Sequence, residues 1–151
     1  MKARKSFGKM EFTSIRETLS YFAWTTALVA TTGSLFFSEV MELPPCVLCW
    51  YQRIAMYPLV IVLGAGIIMR DPRMKYYALP LAMVGLLISI YHNLLYYGVV
   101  PESIMPCQQG ISCTTVHIEW LGFITIPLMA LAAFAVVSLC LWLHKTGRLE
   151  K

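Results

Sequence analysis

The sequence predicts an all-α integral membrane protein, a bundle of four transmembrane helices in a single domain covering residues 1–151, and three observations carry that expectation. The chain is 58% hydrophobic and only 13% charged, with a mean hydropathy of +0.66, which is too apolar for a soluble domain of this size. Four apolar segments, 18–38, 49–69, 76–97 and 120–143, each reach the ~20 residues that cross hydrocarbon as a helix. They are continuous rather than alternating, which argues against a β-barrel. Every Lys and Arg except Arg53 lies before the first segment, between the second and third, or after the fourth. The positive-inside rule then places both termini in the cytoplasm and the loops 39–48 and 98–119 outside.

The net charge of +4 reads as topological anchoring. The basic residues flank membrane segments without interleaved aromatics, so nucleic acid is not an expected partner and the lipid bilayer is.

Residues 1–15 are polar and basic and are expected to form a loose or interfacial tail. The first helix is read as retained rather than cleaved, because its apolar core is long and Ser38-Glu39-Val40-Met41 is no small-x-small site. Thr31, Thr32, Gly33 and Ser34 offer it small residues for close packing. In the second helix Gly64 and Gly66 do the same, and Pro72, in the turn 69–73, stops the helix. The third carries Pro80 near its start and His92 about a turn and a half from its outer end. Pro127 is expected to bend the fourth helix in its outer third. Trp50, Tyr51, Tyr96, Tyr97 and Trp120 read as an interfacial aromatic belt.

The stretch Pro44-Pro45-Cys46-Val47-Leu48-Cys49-Trp50-Tyr51-Gln52-Arg53 stands apart. The prolines enforce an extended entry, leaving Cys46 just outside the helix and Cys49 in its first turn, where free N–H groups and the helix dipole favour a thiolate at Cys49. Arg53, four residues on, shares that face and adds a fixed positive charge. An arginine at this depth costs at least about 2.5 kcal/mol, so it reads as functional. His92 is either a structural hydrogen-bonding group or a donor to a ligand carbonyl or proton relay.

Cys46, Cys49, Cys107 and Cys113 fall in or beside the outer loops, whereas Cys140 is placed as a packing residue near the inner end of the fourth helix. In an oxidising compartment the outer four read as structural staples, one metal site, or two redox-active disulfides. A metal site of four thiolates is set aside, since the spacing is not that of a zinc ribbon and one pair begins a membrane helix. Staples suit the second pair alone. Redox exchange accounts for both pairs, two dithiols in adjacent loops making a relay.

With Trp120-Leu121-Gly122-Phe123-Ile124-Thr125-Ile126-Pro127 added to Cys46-Val47-Leu48-Cys49-Trp50-Tyr51-Gln52-Arg53, nearly the whole chain resembles the DsbB family of membrane thiol-disulfide oxidoreductases, in a compact form similar to the BdbC type. The resemblance implies a bacterial cell-membrane enzyme supporting disulfide formation in exported proteins. It implies that Cys49 faces a membrane quinone, menaquinone or ubiquinone, which Arg53 helps to hold; His92 is a further candidate on the ground of its depth alone. It also implies that Cys46 shuttles with the second loop, where Cys107, paired with Cys113, is attacked by an extracytoplasmic thioredoxin-fold oxidase (DsbA/BdbD-like). Only five residues separate Cys107 from Cys113, a tighter loop than in better-known members, which leaves the order of exchange open. Two other classes compete. One is a quinone reductase of the vitamin K epoxide reductase type, disfavoured because here the Cys-x-x-Cys opens the second helix. The other is a non-enzymatic membrane subunit with structural disulfides, or a metal carrier whose cysteines are ligands.

Overall fold

The computed structural model describes residues 2–100 and 125–144, with side chains from residue 15 onward. Four α-helices follow in order, α1 (Lys2–Leu35), α2 (Val47–Ile68), α3 (Met74–Tyr96) and α4 (Ile126–Leu143), and a π-helical turn, Phe36–Val40, closes α1. Among the described residues there is no strand. The principal contacts are α1 with α2, α2 with α3, α3 with α4, and α4 with α1, which closes the four into a ring. The starts of α2 and α4 and the end of α3 gather at one end, called here the cysteine end.

α2, α3 and α4 are each long and apolar enough to cross a membrane. Their outward faces agree: Ile54, Ile61 and Ile68 recur every two turns of α2 and are 62%, 73% and 83% exposed, a stripe suited to hydrocarbon rather than water. α1 is less apolar because charged residues fill its first half and threonine and serine dilute its second. Three of the hydroxyls are turned back on the helix, Thr25 donating to Tyr21 O (2.8 Å), Thr26 to Phe22 O (2.8 Å) and Thr32 to Leu28 O (2.9 Å), so they present little unpaired polarity to lipid.

The core runs along small residues. Ala23 and Ala27 of α1, Ala55 of α2 and Ala78 and Ala82 of α3 are all buried and bring the backbones close. Two glycines set the tightest approaches. A Cβ on Gly66 would collide with the Met74 side chain, and one on Gly85 with the Phe134 ring. Trp24 fastens α1 to α2 by donating Nε1–H to Val60 O at 3.2 Å.

Two expectations are corrected. The tail predicted over 1–15 is helical from Lys2. Its Lys, Arg, Ala, Met and Glu are good helix formers and no proline interrupts them. Pro127 does not bend α4, because it lies in the helix's first turn, just after the extended cap residue Thr125, whose Oγ1 accepts Leu128 N–H at 3.4 Å. A proline there forfeits no helical bond and pre-sets φ. At the opposite end α2 stops at Ile68 and the chain reverses through Arg70, which takes a left-handed φ of 51°. Asp71 stabilises the turn by accepting Arg73 N–H (2.8 Å) and the Tyr77 hydroxyl (2.6 Å).

Candidate functional site

Pro44 and Pro45 deliver the chain in an extended form to Cys46, which caps α2 with φ −70° and ψ 169°. Its Sγ accepts the Cys49 N–H at 3.3 Å, one of the amides that a helix start leaves unpaired. Both cysteines are free thiols, with their sulfurs 2.8 Å apart. The free Cys49 amide is thus taken up by Cys46, whose side chain at the cap position folds back over the first turn. Hydrogen bonding from the Cys49 thiol, then from His92 and the Cys49 amide, outweighs burial and holds the Cys46 thiol well below the ordinary range.

His92 reaches this pair from α3. Its Nε2 lies 3.8 Å from Cys46 Sγ, and its side chain is buried. The neighbouring hydrogen bonds fix its tautomer. Ser89 donates its hydroxyl hydrogen to Gly85 O at 2.9 Å, which leaves Ser89 Oγ to accept from Gln52 Nε2 at 3.2 Å. The same Nε2 faces His92 Nδ1 at 3.3 Å. Nδ1 is thus the acceptor, the ring proton sits on Nε2, and that proton points at Cys46. Asn93 locks the level below by donating to Ser89 O (2.8 Å) and, across to α4, Pro127 O (2.9 Å).

Arg53 leaves α2 on the other side, toward α1. Nε donates to Ser34 Oγ at 3.0 Å and a terminal nitrogen to Ser34 O at 2.9 Å, while the guanidinium lies 5.5 Å from the centre of the Trp50 ring. Ser34 was expected to serve helix packing and instead anchors the arginine.

Between α1, α2 and α4 opens a cavity of about 660 Å³ whose wall includes Cys46, Cys49, Gln52, Arg53, Thr31 and Tyr57. Gly33 also lines it, and a Cβ there would meet nothing within 4 Å. The small residues of α1 thus make room rather than a helix contact. Two buried hydroxyls on this wall, Thr31 Oγ1 and Tyr57 OH, have no hydrogen-bond partner among the described residues. His92 is not part of this wall and touches Cys46 from behind.

Cys46, Cys49, Arg53 and His92 are therefore gathered at one end, whereas Cys107, Cys113 and Trp120 lie outside the described residues. Cys140 is buried in the apolar core near the other end of α4. Gln52, Ser89 and Ser34 escaped the sequence reading. Their signal was present in outline: Gln52 stands three residues after Cys49, and Ser89 three before His92, polar groups at helical spacing in segments otherwise apolar.

The chain matches the family model "Disulfide bond formation protein DsbB" over residues 16–144. It is 46% identical to Disulfide bond formation protein C of Bacillus subtilis over 130 residues, 86% of this chain and 94% of that one. Similarity extends to Probable disulfide formation protein C 2 of Bacillus anthracis, 43% identical over 90% of this chain and 96% of that one. A further relative, Probable disulfide formation protein of Oceanobacillus iheyensis, is 39% identical over 91% of this chain and 97% of its own length. No solved structure matches. A dithiol at the mouth of a membrane-helix bundle, a family match across most of the chain and relatives aligned almost end to end agree: the chain belongs to the DsbB family of disulfide bond formation proteins.

Proposed function

We propose that this protein reoxidises an extracytoplasmic thioredoxin-fold oxidase of the DsbA/BdbD kind, taking electrons through Cys107/Cys113 to Cys46/Cys49 and on to a membrane quinone. The observation that carries the reading is the cavity wall, on which the dithiol, the Arg53 cation and two hydroxyls unpartnered among the described residues all appear. A bound quinone, menaquinone or ubiquinone, would supply a two-electron, two-proton acceptor there, and its two carbonyl oxygens suit the donors available.

The chain's own residues do the rest. The partner's thiolate attacks the Cys107–Cys113 disulfide, and the mixed disulfide resolves to oxidised partner and a Cys107/Cys113 dithiol. That dithiol reduces Cys46–Cys49 in the same way, with one disulfide broken for each one formed and two electrons and two protons carried inward. His92 Nε2–H and the Cys49 amide hold negative charge on Cys46 Sγ, so Cys46 is the sulfur suited to leave and return during exchange. Cys49, one turn deeper and on the cavity wall, faces the acceptor. Arg53, held by Ser34, keeps a positive charge beside that wall.

The whole chain, residues 1–151, is read as one multi-pass domain of a bacterial cell membrane with both termini cytoplasmic. Arg70, Arg73 and Lys75 follow α2 at the end away from the cysteines, which supports that orientation.

The test mixes purified, detergent-solubilised protein with quinone and a reduced thioredoxin-fold dithiol and follows quinone absorbance. Quinol should form with the wild type and should not form with Cys49→Ser or Cys107→Ser. Turnover persisting in either variant would refute the relay.

A further inference from the structure

We propose that the reduced Cys46/Cys49 pair and His92 together form a binding site for a soft divalent cation of the zinc and cadmium class, open only when the cysteines are reduced. The donor atoms, two thiol sulfurs and one imidazole nitrogen, all lie within 4.8 Å of one another. This is a different set from four outer cysteines, since it draws on α3 and leaves out the second loop.

Geometry favours such an ion. Tetrahedral zinc with bonds of about 2.3 Å to sulfur and 2.05 Å to nitrogen requires about 3.6 Å between sulfur and nitrogen and about 3.8 Å between sulfurs. Cys46 Sγ and His92 Nε2 already stand 3.8 Å apart, whereas the sulfurs, at 2.8 Å, must part by about 1 Å. Cys49 borders the cavity and is only half-buried, so rotation of its side chain supplies that movement. Two cysteines and one histidine leave a fourth position, and the cavity beside Cys46 and Cys49 gives it room for water.

Charge favours it too. Both sulfurs bind as thiolates, any remaining thiol proton passing to solvent, so two thiolates, one neutral imidazole and the metal dication sum to zero at a depth where net charge is costly. No electron is transferred. Arg53, turned toward Ser34, keeps its own hydrogen bonds.

Gln52 makes the switch of tautomer feasible. A metal on Nε2 moves the imidazole proton to Nδ1, which then needs an acceptor. The Gln52 amide, now presenting Nε2 to Nδ1 and to Ser89 Oγ, meets that need by turning over to offer Oε1, while Ser89 redirects its hydroxyl from Gly85 O to the same oxygen. Such an outer partner fixes the ring and its loss typically costs 10–100-fold in affinity. The consequence is inhibition, because a metal-bound dithiol cannot close its disulfide, so soft cations arriving from outside would stall the pair in its reduced form.

The experiment uses the full chain in detergent carrying Cys107→Ser and Cys113→Ser, reduced, freed of reductant and titrated with cadmium alone, following the ultraviolet thiolate-to-cadmium band. One equivalent should saturate the band, and the reduced protein should melt at a higher temperature with cadmium than without. Adding Cys46→Ser or Cys49→Ser should abolish the band. His92→Asn and Gln52→Leu should each weaken binding by about tenfold or more. A band of unchanged affinity in His92→Asn, no band in the reduced protein, or an equal band after oxidation would each overturn the proposal. Because the titration contains neither quinone nor partner, it can fail while the relay stands, and the relay can fail while the metal binds.

Discussion

Cys46 and Cys140 are both buried, both close to a helix end, and 7% and 6% exposed, yet they occupy opposite chemical worlds. Around Cys46 the helix start supplies an amide, α3 supplies an imidazole in a fixed tautomer, and Cys49 supplies a second sulfur at 2.8 Å. Around Cys140 the neighbours belong to the apolar core. The difference teaches that burial alone says nothing about a cysteine's chemistry. What matters is whether the surrounding backbone and side chains offer hydrogen bonds to a thiolate. The same contrast separates the two ends of the bundle, one rich in converging polar groups and the other packed.

The strongest way to break the comparison is to exchange sulfur for oxygen at each place. Cys46→Ser and Cys49→Ser should each eliminate quinol formation, whereas Cys140→Ser should leave turnover within about twofold while adding a buried hydroxyl to the core at a cost of about 1–3 kcal/mol. Steady-state quinone reduction and a thermal melt in detergent check both halves. Loss of turnover in Cys140→Ser with an unchanged melt would mean that the packed end takes part in the chemistry.

The packed interior has its own point of failure, midway along α3 and α4. Gly85→Ala places a methyl against the Phe134 ring, and overpacking of this kind costs about 1–3 kcal/mol. A clear drop in melting temperature is expected, with Phe134→Leu in the same chain restoring part of it. Additive losses in the double variant would show that the two residues do not press on one another.

Removing the support behind His92 should have an intermediate effect on the cysteine end. In Gln52→Leu the Nδ1 acceptor loses its donor, the imidazole is free to turn, and thiol exchange at Cys46 should slow by roughly tenfold with the melt little changed. Exchange is read from the rate at which a reduced partner is oxidised. An unaltered rate would make Gln52 a packing residue.

How much of this was legible beforehand follows from which forces act locally. The four helices were readable from hydropathy, and the extended Cys46 with Cys49 in the first turn followed from Pro44 and Pro45, because both depend on near neighbours in the chain. Arg53 announced itself by its rarity in an apolar segment. The partners of Arg53 and His92 did not, because Ser34 lies 19 residues from Arg53 and Gln52 lies 40 from His92, and only helix packing determines which distant hydroxyl or amide arrives. The effect of Pro127 was misread for a related reason: it depends on whether the proline lies inside a helix or at its start, and the Thr125 cap that decides this is a single residue.

The smallest expected effect lies at the packed end and is sharpened by pH. His144, just beyond α4, is 3% exposed. Burial first, and then the charges of Arg16 and Lys75, hold its pKa below the ordinary histidine value. The unfolded chain therefore takes up this proton first as the solution is acidified, near the usual value of about 6.5. Stability from this group is complete above that pH and is lost as pH falls toward the depressed folded value. Melting temperature should thus decline between about pH 7 and pH 5, and His144→Gln, which carries no titrating group, should flatten that part of the slope. An identical slope in the two proteins would assign the acid sensitivity elsewhere, and the cysteine end would then be the place to look, because the Cys46 thiolate is itself lost on protonation.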